Sequence, residues 1–137
     1  APRWQSEARR ATFEDLLATS DIISLHLPLN DETRGLLGEA ALARMKASAI
    51  LINTARGGIV DERALAAALR EGRLAGAALD VFETEPIDAA TAGLFSGLKN
   101  LILTPHIAGV TKESNARVSE VTARNVLDAL ATPERTA

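Results

Sequence analysis

The chain contains no cysteine, so neither a disulfide framework nor a thiolate metal site is available to it. Its 2 histidines are too few for a convincing zinc cluster. Long apolar runs are missing as well: none approaches the ~18 residues of a membrane-spanning helix, and the first residues lack the apolar stretch of a signal peptide. These absences point to a cytoplasmic protein. An excess of either charge is also lacking, since 15 Lys and Arg against 18 Asp and Glu leave a net charge of −3, with no general pull toward nucleic acid or anionic membrane. No internal repeat or low-complexity segment occurs. The last absence is the most specific. No Gly-x-Gly-x-x-Gly follows an apolar run, so the turn that seats a dinucleotide pyrophosphate on a helix N-terminus is not in these residues. Either the fold binds no dinucleotide, or the chain is the second half of one that does.

What is present indicates a globular α/β domain. Hydrophobic residues make up 47% and charged residues 24% of 137 positions, enough for one domain with a real core. Residues 1–11 are polar and Arg-rich, and read as an edge or loop. Thr12 and Asp15 have capping-box spacing ahead of Phe13, Leu16 and Leu17, which predicts a short helix. Asp21 to Leu27 is a β-branched strand pattern stopped by Pro28, with a loop through Thr33. Gly38 to Lys46 has helical spacing in Leu42 and Met45. The run Ala49-Ile50-Leu51-Ile52 has no polar alternation and predicts a strand buried on both sides. Asp61 is a good N-cap for a helix through Leu65 and Leu69, with Gly72 suited to its C′ position. Ala75 to Val81 predicts a small-residue strand. A loop to Lys99 follows, with one helical turn near Leu94. Asn100 to Thr104 is a further strand, and Thr111 to Ala131 one long helix with a stripe of Ala123, Val126, Leu127 and Leu130, stopped by Pro133. Strand and helix alternate, which argues a doubly wound, Rossmann-type parallel sheet with right-handed crossovers.

Three polar residues, Arg56, Glu85 and His106, stand just past three of these strands. In a parallel sheet such loops converge on one edge, where ligands bind. An Arg fork grips a carboxylate in two bonds, and a His exchanges a proton near neutral pH while a neighbouring carboxylate favours its charged form and fixes its tautomer. Singly, each has a plainer explanation: a backbone bond for His106 after Pro105, a solvated acid for Glu85, and pairing with Asp61 for Arg56.

The stretches SDIISLHLPLNDETRGLLG, LINTARGGIVDERALAAALREGRLAGAALDVFETEP and NLILTPHIAGVTKESNARVS closely resemble the D-isomer-specific 2-hydroxyacid dehydrogenases, over about residues 12–130. The resemblance implies nicotinamide-dependent reduction of a 2-keto acid to a D-2-hydroxy acid. By position within these motifs, Arg56 is similar to the substrate-carboxylate Arg, Glu85 to the acid paired with the catalytic His, and His106 to the proton donor. Asp80 is similar to the carboxylate near the nicotinamide. Thr54, Ala55 and Arg56, together with His106, Ala108 and Gly109, correspond to contacts beside the ring, and Pro28 lies in the loop along the adenosine half. His26 belongs to the same loop motif, with packing or a backbone bond as its expected role.

Two departures from the family pattern stand out. Ala47-Ser48 replaces a Pro-Gly turn, which should alter turn geometry and little else. The glycine-rich fingerprint, the residue that selects NAD or NADP, and the first part of the substrate domain are missing, and Arg3, Arg9 and Arg10 cannot be assigned to that selection. The resemblance therefore implies the carboxyl half of such an enzyme: a partial NAD(P)-binding domain over 12–110 and a helix over 111–137 returning toward the substrate domain. It also implies NAD more than NADP, a small 2-keto or 2-hydroxy acid as substrate, a homodimer, and no nucleic-acid or membrane partner. Similar chains include NAD-sensing corepressors, which makes a binding protein on the same fold one alternative and an inactive partial chain another.

Overall fold

The computed structural model describes residues 8–131; Arg3, the single Trp at position 4 and the expected helix stop at Pro133 lie outside the described residues. The chain divides after Pro105 into two compact units. In the first, four parallel strands, β1 (Ile22–Leu25), β2 (Ile50–Asn53), β3 (Gly76–Leu79) and β4 (Leu101–Leu103), pair in sequence order. The register aligns Ile23, Leu51, Ala77 and Leu101 across the sheet, and likewise Leu25, Asn53, Leu79 and Leu103.

Between them run α1 (Phe13–Thr19), α2 (Glu39–Leu42), α3 (Glu62–Arg70) and α4 (Ala89–Phe95). The expected caps form. The Thr12 hydroxyl accepts the Asp15 N–H, and the Asp61 carboxylate accepts the N–H groups of Arg63 and Ala64 at 2.9 and 3.0 Å. Gly72 ends α3 at φ 68°, a left-handed conformation that other residues resist. Ala47-Ser48 still closes a turn, in which the Ala49 N–H donates to the Lys46 carbonyl at 2.9 Å.

Three expectations need correction. The 49–52 strand is not buried on both sides: Leu51 is fully buried, whereas Ile50 is 40% exposed. Strands in sequence order with crossovers of one hand put their connecting helices on one face. Leu17, Leu42, Leu65, Leu69 and Phe95 accordingly share one core with Leu25, Leu51, Ala77 and Leu79, while Ile22, Ile50 and Ile102 of the opposite face stay exposed. The 38–46 segment yields only the four residues of α2, because Gly38 starts it and turn hydrogen bonds to Ala41 and Leu42 close it early. Conversely, the loop before Lys99 holds more than one helical turn: Asp88 caps the seven-residue α4 by accepting the Thr91 N–H at 2.7 Å. Phe95 from that helix packs against Phe82, with ring centroids 6.4 Å apart.

The second unit carries α5 (Lys112–Ala131), a 20-residue helix that begins where the Thr111 hydroxyl accepts the Ser114 N–H at 3.0 Å. None of its residues is buried, and Val118, Val121, Val126, Leu127 and Leu130 all present apolar surface. Among the described residues no helix is long and apolar enough to cross a membrane.

Candidate active site

Arg56 is carried on a turn built by the last residue of β2. Asn53 is 2% exposed, and both ends of its amide are used: Oδ1 accepts the Ala55 N–H at 3.1 Å, and Nδ2 donates to the Arg56 carbonyl at 3.0 Å. A buried amide satisfied in this way fixes the turn like an additional backbone strand would. The Arg56 side chain is exposed, and its Nη1 donates to the Ala55 carbonyl at 2.6 Å. Thr54 is exposed beside it.

The loop after β3 lies against this turn. Gly57 is the contact point. A Cβ there would lie 1.8 Å from the Phe82 carbonyl oxygen, so only glycine allows the two loops to approach this closely. The Phe82 N–H donates to Glu85 Oε1 at 2.8 Å, and the next N–H, that of Glu83, donates to Glu62 Oε1 at 2.6 Å. At the head of the same loop Asp80 is buried, and its Oδ1 accepts the Thr104 hydroxyl at 2.5 Å, joining the ends of β3 and β4.

Glu62 is a second buried carboxyl of this region. Burial raises its pKa above the ordinary glutamate value, the Glu83 N–H opposes that shift, and the charges of Glu83, Asp61 and Asp88 reinforce it. Asp88 behaves oppositely: the backbone N–H and the hydroxyl of Thr91 hold its exposed carboxyl below the ordinary aspartate value.

An open cleft of about 620 Å³ lies at the carboxyl ends of β1 and β2, lined by His26, Leu27, Pro28 and Leu29 on one side and Thr54, Ala55 and Arg56 on the other. Four residues from the sequence motifs, Pro28, Thr54, Ala55 and Arg56, thus share one wall-to-wall space. The Pro28 carbonyl accepts the Thr33 hydroxyl at 2.7 Å, and Asn30 Oδ1 accepts the N–H groups of Glu32 and Thr33, which gives the 28–34 loop a defined shape. His26 neither packs in the core nor bonds a backbone group through its ring; Nε2 lies 2.9 Å from the Ser24 hydroxyl on an exposed surface. The apolar Leu27 and Leu29 beside polar Thr54 suit the flat, amphipathic rings of a nicotinamide dinucleotide, while the described residues offer no glycine-rich turn for its pyrophosphate.

His106, Ala108 and Gly109 open the second unit. His106 follows β4 by way of Thr104 and Pro105, and at φ 54° it is the one non-glycine among the described residues in the left-handed region. Strain of this kind concentrates at functional positions. Arg56, Glu85 and Asp80 are thereby placed together at one sheet edge, on the loops after β2 and β3, and His106 is carried by the loop after β4 in the other unit.

Sequence reasoning did not single out Asn53, Glu62 or Thr104. Asn53 had a local signal, a polar residue closing an apolar strand three positions before Arg56. Glu62 and Thr104 had none, since their partners lie 21 and 24 residues away.

Comparison with known proteins bears on this arrangement. Residues 2–108 match the family described as "D-isomer specific 2-hydroxyacid dehydrogenase, NAD binding domain". The chain is 56% identical over 127 residues to an (S)-sulfolactate dehydrogenase of Chromohalobacter salexigens, covering 93% of this chain and 40% of that protein. To a glyoxylate reductase of Aeropyrum pernix it is 51% identical, covering 88% and 35%. The crystal structure of a glyoxylate reductase from Paecilomyes thermophila superposes with a TM-score of 0.80 at 39% identity, covering 90% of this chain and 37% of that one. The chain thus spans well under half the length of these relatives. A parallel sheet carrying the matched motifs on its carboxyl edge, together with a family match across more than three quarters of the sequence, places this chain among the D-isomer-specific 2-hydroxyacid dehydrogenases, within their NAD-binding domain.

Proposed function

We propose that the complete protein carrying this sequence is an NAD(P)-dependent oxidoreductase that interconverts a small 2-keto acid and its D-2-hydroxy acid, with NAD favoured. The observation that supports this most strongly is the interlocking of the Arg56 and Glu85 loops through Gly57 and the Phe82–Glu83 backbone, which holds an anion-binding group and an acid side by side on the ligand-binding edge of the sheet. A bound nicotinamide cofactor supplies the hydride for the keto carbon. Arg56 binds the substrate carboxylate in two hydrogen bonds and so orients the keto group. His106, protonated and partnered by Glu85, gives its proton to the oxygen that becomes the hydroxyl. Asp80, Ala108 and Gly109 line the nicotinamide end, Thr54 and Ala55 flank it, and Pro28 lies toward the adenosine end. The partial cofactor domain extends over 12–110, and the helix from 111 onward reaches toward the substrate domain. The protein is cytoplasmic and homodimeric, and the exposed apolar residues of α5 supply surface for such pairing.

The test is turnover of NADH with glyoxylate, hydroxypyruvate and other 2-keto acids by the complete protein, beside its His106→Ala variant. Reduction that falls by about 10² or more in the variant, the scale of a lost general acid, is the expected outcome. Equal turnover by both proteins would refute the assignment of His106.

A further inference from the structure

Glu62 is the first residue of α3, 7% exposed, and no step of the proposed reaction uses it. Its Oε1 accepts the Glu83 N–H at 2.6 Å. The adjoining Phe82 peptide is engaged on both sides: its N–H donates to Glu85, and its carbonyl lies against Gly57. Three successive backbone groups of one loop are thereby tied to Glu85, to the Arg56 turn and to α3, and α3 begins on Asp61, five residues after Arg56. We propose that Glu62 is a positioning residue, whose carboxylate holds the loop bearing Glu85 in register with the turn bearing Arg56. The bond is directional and depends on reach more than on charge: one methylene less withdraws the side-chain oxygen from the Glu83 N–H, whereas an amide oxygen of the same reach still accepts it. Misplacement of a reacting group by ~1 Å can lower a rate by about 10².

The inference rests on the function proposed above, and its test separates the two. In the complete protein, Glu62→Asp keeps the charge and shortens the reach, whereas Glu62→Gln keeps the reach and removes the charge. Glu62→Asp should lower kcat by about tenfold or more with KM for the keto acid changed less than about threefold, and should move the high-pH loss of reduction to lower pH, the shift expected when His106 loses Glu85 as its partner. Glu62→Gln should restore both kcat and the pH profile to near wild type. A Glu62→Asp protein with wild-type kcat and profile, or a Glu62→Gln protein as impaired as Glu62→Asp, overturns the proposal. Hydrogen exchange at the Glu83 amide reads the tie without any turnover: protection retained in wild type and Glu62→Gln and lost in Glu62→Asp supports it, and equal protection in all three refutes it. Absence of 2-keto acid reduction by the wild-type protein would instead refute the proposed function, leaving the amide measurement to decide on Glu62.

Discussion

Among the glycines Gly57 gives the most severe steric constraint, because the position a Cβ would take is already held by the backbone of Phe82 and Glu83. Gly57→Ala should therefore destabilise the protein by ~1–3 kcal/mol or push the Glu85 loop away, the range for overpacking a closed site. Chemical denaturation of wild type and variant measures the loss, and unchanged stability together with unchanged kcat would show that the loops do not press on one another. Glu62 makes a pH prediction with a definite sign. A carboxyl whose folded pKa is raised contributes stability that is complete below the ordinary glutamate value and lost as pH rises through the raised value. At neutral pH the buried charge is a burden that an amide lacks, so Glu62→Gln should melt higher than wild type near pH 7, with the gain vanishing near about pH 4. A gain that grows on acidification would contradict the buried, charged Glu62. At this scale the legible residues were those with local neighbours. Arg56 and Glu85 sit in sequence motifs beside strand ends, whereas Glu62 joins a strand-distant amide and only folding reveals it.

At the scale of elements, local chemistry decided most of what could be read. Asp61 accepts two N–H groups of the first turn of α3, and Asp61→Ala should lower stability by about 1 kcal/mol, as loss of an N-cap does. A midpoint of urea unfolding unchanged in that variant would contradict the cap. Thr12 and Asp61 each mark a helix start by accepting the N–H three residues ahead, which is why α1 and α3 were legible, and the stripe of Ala123, Val126, Leu127 and Leu130 made α5 so. Helix α4 was legible only as one turn near Leu94, although Asp88 caps it in the same way, because Ala, Gly and Thr fill its interior and leave Leu94 and Phe95 as its strong apolar signal. The apolar run of β2 misled in a different manner. Periodicity reports how apolar a strand is, but its exposure depends on which face receives helices, and that is set by the order of strands across the whole sheet.

At the scale of the whole molecule, the chain carries one edge of a cofactor site and lacks a glycine-rich turn among its residues. Expressed alone, these 137 residues should bind NADH weakly, because no helix N-terminus with that turn is present to neutralise the pyrophosphate. Micromolar or tighter binding by calorimetry would contradict this. The exposed face bearing Ile22, Ile50 and Ile102, with β1 at the sheet edge, should also make the isolated chain self-associate, and sedimentation showing a monomer across a wide concentration range would count against it. In the arrangement proposed for the complete protein, Glu85 partners His106 while Arg56 holds the substrate. Arg56→Lys should raise KM as well as slow turnover, since one ammonium cannot reproduce a two-bond grip. The most direct measurement is the pH dependence of 2-keto acid reduction by Glu85→Gln beside wild type. Removal of the partner carboxylate should leave substrate binding largely intact and move the pH above which reduction is lost to a lower value. A wild-type profile in Glu85→Gln would contradict the pairing.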